Sequence, residues 1–181
     1  MPMVGSRAPD FELPVWDPND PGNMRKTAKL SDYKGRWLVF FWYPLDFTFV
    51  CPTEITALSE CLDEFRELGA EVLGASTDSI YSHRAWAGTP RDSGGISGLR
   101  YPLAADMSHR VARAYDVLLE EQGIALRGLF IIDPEGVVQY ATVHALNVGR
   151  SAEETLRVLQ ALQTGGLCPA NWRPGDRTLG A

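Results

Sequence analysis

The sequence predicts a single α/β domain, in which helices flank a mixed central sheet, followed by a C-terminal tail. Short apolar runs rich in aromatic and β-branched residues alternate with amphipathic segments of helical period, an order typical of α/β proteins. Later in the chain, a strong turn sequence joins two apolar runs as a hairpin. Beyond residue 164 the chain has no hydrophobic periodicity. We therefore expect the domain over residues 1–164 and the tail over residues 165–181.

The N-terminal region leads into the strand expected at the centre of the sheet. Residues 1–30 contain five prolines separated by short apolar pieces, which is typical of an irregular arm or a hairpin. A turn over residues 29–35 then precedes seven consecutive apolar residues, 37–43. This run is too short to span a bilayer and is rich in aromatic and β-branched types. We therefore expect a strand buried on both faces, which Pro44 ends.

An amphipathic helix follows, and Cys51 lies in its first turn. Pro52 is typical of a helix start, and apolar residues recur on one side of the helix as far as about residue 69. A helix N-terminus carries partial positive charge and unpaired N–H groups, so it favours an anion, and the thiolate is the nucleophilic form of cysteine. Thr48 can donate a hydroxyl hydrogen bond into the same pocket, which Pro44 covers. The spacing Pro-x3-Thr-x2-Cys indicates a reactive cysteine.

The next segments continue the alternation of strand and helix. Residues 71–76 predict a second strand. Asp78 and Ser79 can cap a helix that runs through Trp86, and the glycine-rich residues 88–99 predict a loop. Catalytic groups of open α/β sheets collect beyond the carboxyl ends of the strands, where helices begin. The position of Cys51 fits this rule.

The last part of the domain predicts a short strand, a helix, a hairpin and a final helix. The short strand is expected over residues 101–104 and the next helix over 108–115, capped by its first serine. A strong turn sequence, Asp-Pro-Glu-Gly, joins the hairpin strands 128–132 and 137–143. A capping box that begins at Ser151 predicts the final helix, which ends near residue 163.

Five blocks of sequence resemble those of typical two-cysteine peroxiredoxins, the group of bacterial alkyl hydroperoxide reductases and eukaryotic thioredoxin peroxidases. They occur in the family's order and span nearly the whole chain: YPLDFTFVCPTE at 43–54, the Asp-Ser, Ser-His and Ala-Trp pairs within 78–86, RGLFIIDP at 127–134, VGRS at 148–151 and CPANW at 168–172. The resemblance implies a thioredoxin-like fold. It also implies a thiol-dependent peroxidase that reduces hydrogen peroxide and organic hydroperoxides, an antioxidant activity in cell redox homeostasis.

The resemblance also implies roles for individual residues. In the resembled family the cysteine at the position of Cys51 attacks the distal peroxide oxygen and becomes a sulfenic acid. Cys168 would then attack this sulfenic acid in the other subunit, giving an intermolecular disulfide and implying an antiparallel homodimer. Arg127 would be the active-site arginine that stabilises the thiolate and polarises the peroxide. Arg150 would support it through Glu54.

Some of these residues also have simpler interpretations. Cys168 fits equally well as a free thiol in a flexible tail, and Arg127 fits as a solvated arginine at a strand end. Cys61 lies ten residues beyond Cys51 on the same predicted helix, so about 15 Å separates them on different faces, too far for a disulfide without unwinding. We therefore expect Cys61 to be inert. Trp86 is most simply a core residue, although its family counterpart lies near the active-site helix.

Composition and charge restrict the partners. The formal net charge of −6 and the lack of a clustered Lys/Arg stripe argue against nucleic acid or an anionic membrane as a partner. The N-terminus lacks the pattern of a signal peptide. Together with three cysteines in 181 residues, this predicts a cytoplasmic protein with redox chemistry rather than a disulfide framework. None of the three histidines has metal-ligand spacing with a cysteine, so we expect no zinc site. The peroxidase implied by the resemblance would need no metal, haem or flavin of its own.

The resemblance also bears on the reductant, the assembly and other functions of the chain. The reductant is expected to be thioredoxin or a flavoprotein disulfide reductase, and the homodimer is expected to assemble into a decamer, as is common in the resembled class. An alternative function for the chain itself is that of a thioredoxin-fold disulfide reductase. Such an enzyme would need Cys-x-x-Cys, and because position 54 is Glu, the sequence excludes this alternative. An additional role as a holdase chaperone is left open by the sequence.

The sequence departs from peroxide-sensitive members of the resembled class. Those members carry a Gly-Gly-Leu-Gly loop and a C-terminal helix that contains Tyr-Phe. Here residues 94–97 read Gly-Gly-Ile-Ser, and the printed chain ends without such a helix. Local unfolding that brings Cys168 to Cys51 should then be easier, so we expect resistance to overoxidation.

Overall fold

A mixed seven-stranded sheet organises the chain, whose computed structural model describes residues 2–180. Its strands are β1 (Glu12–Trp16), β2 (Thr27–Lys29), β3 (Trp37–Trp42), β4 (Ala70–Ser76), β5 (Leu103–Ala105), β8 (Arg127–Ile132) and β9 (Val138–His144), and a separate short hairpin contains β6 (Leu118–Leu119) and β7 (Ile124–Ala125). The strand order is β2-β1-β5-β4-β3-β8-β9. Strands β3, β4 and β5 run parallel, whereas β1 and β8 run antiparallel to their neighbours in that block.

Five α-helices flank this sheet over the described part of the chain: α1 (Cys51–Glu60), α2 (Leu62–Glu67), α3 (Ile80–Ala87), α4 (Arg110–Ala114) and α5 (Ala152–Gln163). Short 3-10 turns lie at Leu30–Tyr33 and Arg91–Ser93. The predicted α/β fold with a mixed central sheet is therefore confirmed. No helix within residues 2–180 is both long and apolar enough to cross a bilayer.

Strand β3 is central and buried on both faces, as predicted. Val39 and Phe41 pack into the cluster that contains the apolar side of α1 and α2. Phe40 and Trp42 pack into the cluster on the opposite face, next to Tyr115. Each side chain buried in this way contributes about 1.5–3 kcal/mol. The strand is thus a rigid support for the loop that follows its C-terminus, residues 43–50, which we call the β3–α1 loop.

The helix predicted from Cys51 to about residue 69 is divided into two. Helix α1 ends at Glu60, and Cys61 adopts φ −85° and ψ 7° before α2 begins at Leu62. Leu62 and Phe65 still face the core, so the apolar pattern continues across the break and does not reveal it. The predicted placement of Cys61 on one continuous helix is wrong.

The helix predicted over 108–115 is shorter and differently capped. Helix α4 begins at Arg110 after His109, which adopts the left-handed region at φ 60°. The buried carboxylate of Asp106 accepts from the N–H of Ala112 at 2.8 Å. The Ser108 hydroxyl donates to the other oxygen of Asp106 at 2.8 Å. Ser108 also accepts from the N–H of Arg110 at 3.4 Å, so it shares with Asp106 the capping role that was predicted for it alone.

Other predicted elements match the structure closely. Ser79 caps α3 by accepting from the N–H of Ser82 at 3.2 Å. Ser151 caps α5 by accepting from the N–H of Glu154 at 3.1 Å, although the Glu154 carboxylate bonds Arg157 and does not close the box. Strands β8 and β9 form the predicted antiparallel hairpin, and β1 and β2 form a hairpin in the N-terminal region.

The segment after α5 has no helix or strand over residues 165–180, as predicted, but it is not a free end. Trp172 is buried, and its carbonyl accepts from the Arg157 guanidinium of α5 at 2.9 Å. Leu179 donates its N–H to the carbonyl of Leu167 at 2.8 Å. The tail therefore folds back on itself and packs on α5, while the boundary at residue 164 stays a prediction.

Candidate active site

Cys51 lies at the N-terminal end of α1 and is fully buried. Strand β3 and the β3–α1 loop deliver it to the edge of the sheet where the parallel strands end. No side chain caps α1, and Pro52 in its first turn has no N–H group. The partial positive charge of the helix N-terminus therefore acts on the Cys51 sulfur without a competing acidic cap.

Arg127 is the cation that contacts this sulfur. Its Nη1 lies 3.4 Å from the Sγ of Cys51, and the residue is only 3% exposed. Its position as the first residue of β8 brings it across the sheet edge to α1. Its Nε donates to the carbonyl of Leu146 at 2.7 Å, which fixes the plane of the guanidinium. The solvated interpretation of Arg127 is therefore excluded.

Glu54 joins Arg127 to a second buried arginine. Its Oε2 accepts from the Nη1 of Arg127 at 2.6 Å, and its Oε1 accepts from both the Nε and the backbone N–H of Arg150 at 2.7 Å. The Arg150 guanidinium also lies over the Phe41 ring, 5.4 Å from its centroid, and donates to the carbonyl of Gly128. The two cations and one carboxylate of this hydrogen-bonded group leave a net positive charge beside Cys51.

The two residues predicted to complete the pocket lie in the β3–α1 loop. Pro44 is buried directly after Tyr43. The Thr48 hydroxyl donates to the carbonyl of Leu45 at 2.9 Å, so its hydrogen is committed within the loop and the predicted donation into the pocket is wrong for this conformation. The Thr48 oxygen keeps lone pairs that can accept a hydrogen bond. The role of both residues in a pocket stays a prediction.

Trp86 is a fully buried core residue, as its simplest interpretation suggests. Its indole lies between two aromatic rings, with centroids 6.0 Å from that of Tyr43 and 5.9 Å from that of Phe47. Its Nε1 donates to the carbonyl of Gly94 at 2.9 Å. Trp86 thus packs under the β3–α1 loop and ties it to the glycine-rich loop after α3.

The structure contains three free cysteines. Cys168 is half-buried in the tail, where its thiol donates to the carbonyl of Ala161 at 3.6 Å and lies 3.4 Å from the Thr164 hydroxyl. Burial, helped by the charges of Glu64, Glu60 and Glu153, raises the pKa of the Cys61 thiol. A thiol with a raised pKa is a poor nucleophile at neutral pH, in agreement with the expectation that Cys61 is inert.

Sequence reasoning missed the acceptors that orient the two arginines. The carbonyls of Leu146 and Gly128 hold Arg127 and Arg150, and backbone acceptors leave no residue-type signal. It also gave no role to Asp46, which is buried within an otherwise apolar segment. A carboxylate inside such a segment is itself a signal of a paired polar group. Within residues 2–180, no three side chains of the types that bind metals cluster as a metal site would require.

The comparisons with known proteins match most of the chain to one family. Residues 4–141 match the AhpC/TSA family, and residues 160–180 match the C-terminal domain of 1-Cys peroxiredoxin. Among relatives, the putative peroxiredoxin YkuU of Bacillus subtilis is 58% identical over 98% of both chains. The chloroplastic 2-Cys peroxiredoxin BAS1 of Spinacia oleracea is 51% identical over 99% of this chain and 68% of its own.

Solved structures give the same result. The reduced 2-Cys peroxiredoxin of Plasmodium vivax superposes with a TM-score of 0.91 and 39% identity, covering 97% of this chain and 91% of the other. AhpC of Enterococcus faecalis superposes with a TM-score of 0.81 and 35% identity, covering 93% of this chain and all of the other. The matched tail domain is named for one-cysteine proteins, whereas the matches from Spinacia oleracea and Plasmodium vivax, which cover 99% and 97% of this chain, are named for two cysteines.

Proposed function

This chain belongs to the AhpC/TSA family of peroxiredoxins and is a peroxidase, and on that premise we propose that Cys51 attacks the peroxide and that Cys168 of the partner subunit resolves the product. The observation that carries the proposal is the contact between the Arg127 guanidinium and the Cys51 sulfur at 3.4 Å. It joins a cysteine in the first turn of a helix to a buried cation.

The first step is nucleophilic attack on the peroxide. The Cys51 thiolate attacks the distal oxygen of the peroxide, forming an S–O bond as the O–O bond breaks. The leaving hydroxide or alkoxide takes a proton and departs as water or alcohol, and Cys51 becomes a sulfenic acid. Arg127 donates hydrogen bonds to the thiolate and to the peroxide oxygens, where negative charge develops. Glu54 and Arg150 keep the guanidinium in place.

Pro44 and Thr48 bind the peroxide in this proposal. Because the Thr48 hydrogen is donated to Leu45, its oxygen is free to accept the hydrogen of the peroxide hydroxyl. Arg127 donates from the other side, so the two residues orient the O–O bond toward the sulfur. Pro44 contributes apolar cover and no N–H group, and so limits water at the reacting atoms.

The second step joins two subunits. The Cys168 thiolate of one protomer attacks the Cys51 sulfenic acid of its partner, forming a disulfide and releasing water. Thioredoxin or a flavoprotein disulfide reductase then reduces that disulfide. The working unit is a homodimer that assembles into a decamer, which the 2-Cys peroxiredoxin relatives support. A cycle that needs continuous reduction suits the cytoplasm.

The substitution Cys168→Ser tests the assignment of the two cysteines. It should leave the first reaction with one equivalent of hydrogen peroxide at the wild-type rate, since Cys168 takes no part in that step. The variant should accumulate Cys51 sulfenic acid, which dimedone traps, whereas the wild type should form a disulfide-linked dimer on non-reducing electrophoresis.

The matched control is Cys61→Ser, which should behave as the wild type because the Cys61 thiol has a raised pKa. Disulfide-linked dimers in Cys168→Ser would show that another thiol resolves the sulfenic acid. Loss of the first reaction in that variant would place Cys168 in the peroxide step and contradict the assignment.

A further inference from the structure

A buried ion pair beneath the β3–α1 loop takes no part in the chemistry above. The Nδ1 of His83, on α3, lies 2.8 Å from the Oδ2 of Asp46, and the two side chains are 0% and 1% exposed. The Nε2 of His83 lies 3.1 Å from the carbonyl of Ala104. Asp46 is in the middle of the loop that carries Thr48 and leads to Cys51.

The contacts of His83 with Asp46 and Ala104 require one proton more than a neutral histidine and an ionised carboxylate would hold. The Ala104 carbonyl can only accept, so the Nε2 of His83 must carry a hydrogen. The Nδ1 of His83 and the Oδ2 of Asp46 would then both be acceptors at 2.8 Å unless a proton lies between them. The buried pair therefore shares that proton, as an imidazolium with a carboxylate or as an imidazole with a carboxylic acid.

Asp46 is held from two further elements. The Tyr43 hydroxyl, at the end of β3, donates to the Oδ1 of Asp46 at 2.8 Å. The Asp46 backbone N–H donates to the carboxylate of Asp78, which follows β4, at 2.9 Å. The next residue, Phe47, adopts φ 56°, a left-handed conformation that is unfavourable for a bulky side chain. Such a conformation persists only where the surrounding contacts stabilise it. The hydrogen bonds of the adjacent residue, Asp46, provide such contacts.

We propose that the His83–Asp46 pair is a proton-holding latch on the β3–α1 loop, and that both are positioning residues that set how long Cys51 stays in its folded site. This inference rests on the proposed function. Because Cys51 is fully buried at the helix N-terminus, its first helical turn must unwind before a disulfide with Cys168 can form. A loop that is held firmly favours attack on peroxide, and a released loop favours the disulfide.

Two titratable groups contact the pair, Tyr43 at the end of β3 and Asp78 in the segment after β4, and the Ala104 carbonyl of β5 carries no charge. Burial, followed by the charge of Asp46, raises the pKa of both Tyr43 and Asp78. Removing the Asp46 carboxylate breaks its bonds to His83 and Tyr43, so the loop loosens. Disulfide formation should then gain on a second oxidation of Cys51.

The test compares how many turnovers each variant completes per inactivation, with hydrogen peroxide as substrate and dithiothreitol as reductant. This ratio is insensitive to the fraction of folded protein, so a merely structural defect does not change it. Asp46→Ala removes the latch and should complete about tenfold more turnovers before Cys51 is overoxidised. Its first reaction with peroxide should be slower, since the folded site is less populated.

Asp46→Asn is the conservative variant and keeps the fold testable if Asp46→Ala does not fold. Its amide can donate to the Nδ1 of a neutral His83 and accept from Tyr43, so the latch survives without a titratable proton. It should match the wild type in turnovers per inactivation.

Asp106→Asn is the matched control. Asp106 is another buried carboxylate, 1% exposed against 7% for Asp46, and it holds α4 and not the β3–α1 loop. In a wild type that still forms its disulfide, either of two results would overturn the latch. One is that Asp46→Ala completes no more turnovers per inactivation than the wild type, and the other is that Asp106→Asn gains as much as Asp46→Ala. A wild type that forms no Cys51–Cys168 disulfide would overturn the proposed function, and the latch with it.

Discussion

Cys51→Ser should react with hydrogen peroxide at least about 10⁴-fold more slowly than the wild type. A serine hydroxyl is not ionised at neutral pH, and neither the helix N-terminus nor Arg127 at 3.4 Å supplies enough stabilisation to ionise it. The measurement is the second-order rate constant for peroxide consumption in rapid-mixing experiments, with Trp86 and the other tryptophans as fluorescent reporters.

A control variant and a contradicting result test whether Cys51 is the nucleophile. Cys61→Ser, which alters a thiol at the far end of the same helical segment, should keep the wild-type rate constant. If Cys51→Ser retained more than about a tenth of the wild-type rate constant, the peroxide would be reacting at another residue. The assignment of Cys51 would then be wrong.

Glu54→Gln should destabilise the protein by about 3–5 kcal/mol and slow the peroxide reaction by about 10²-fold. Glu54 lies between Arg127 and Arg150, and its carboxylate oxygens accept hydrogen bonds from both at 2.6–2.7 Å. An amide keeps the size of the side chain but leaves two buried cations without a counter-charge. The guanidinium that contacts Cys51 is then free to shift away from the sulfur. Urea unfolding and the peroxide rate constant measure the two effects.

Glu60→Gln is the control for this substitution, because Glu60 ends the same helix and pairs with Arg91 at 2.8 Å on the exposed surface. Exposed pairs of this kind contribute about 0–1 kcal/mol, so its stability and rate should be close to those of the wild type. Equal effects of the two substitutions would mean that the buried pairs around Glu54 have no special role.

The parts of the fold that the sequence predicts well are those with local signals. The aromatic and β-branched run at 37–43 can only be buried on both faces, and the structure confirms β3 there. Ser79 and Ser151 cap helices through bonds that span three residues. The Asp-Pro-Glu-Gly turn closes the hairpin of β8 and β9. Each of these signals is contained within a few neighbouring residues.

The parts that the sequence does not predict depend on contacts between distant segments. The break at Cys61 leaves the apolar pattern intact, so no local signal marks it. Asp106 shares the capping role expected of Ser108 because its buried position allows it to reach Ala112. The tail gains its order by packing Trp172 onto α5, and nothing in its composition indicates this contact.

The candidate site shows the same division. The position of Cys51 at a helix start follows from the local pattern, whereas its contact with Arg127 spans 76 residues of sequence. The resemblance to known peroxiredoxins, and not residue periodicity, linked Arg150 to Glu54, and the structure shows the hydrogen bonds between them. The predicted direction of the Thr48 hydroxyl was wrong because a rotatable O–H takes the nearest acceptor, here Leu45.

Mixed dimers test most directly whether Cys51 of one subunit reacts with Cys168 of the other. Chains with Cys51→Ser and chains with Cys168→Ser are purified separately and also as mixed dimers after co-expression. Each sample receives one equivalent of hydrogen peroxide and is run on non-reducing electrophoresis. We expect a disulfide-linked dimer in the mixed sample and in the wild type, but in neither variant alone. If the mixed sample shows no disulfide-linked dimer, resolution between subunits is contradicted. The oxidised wild type would also run as a monomer if its disulfide formed within one chain.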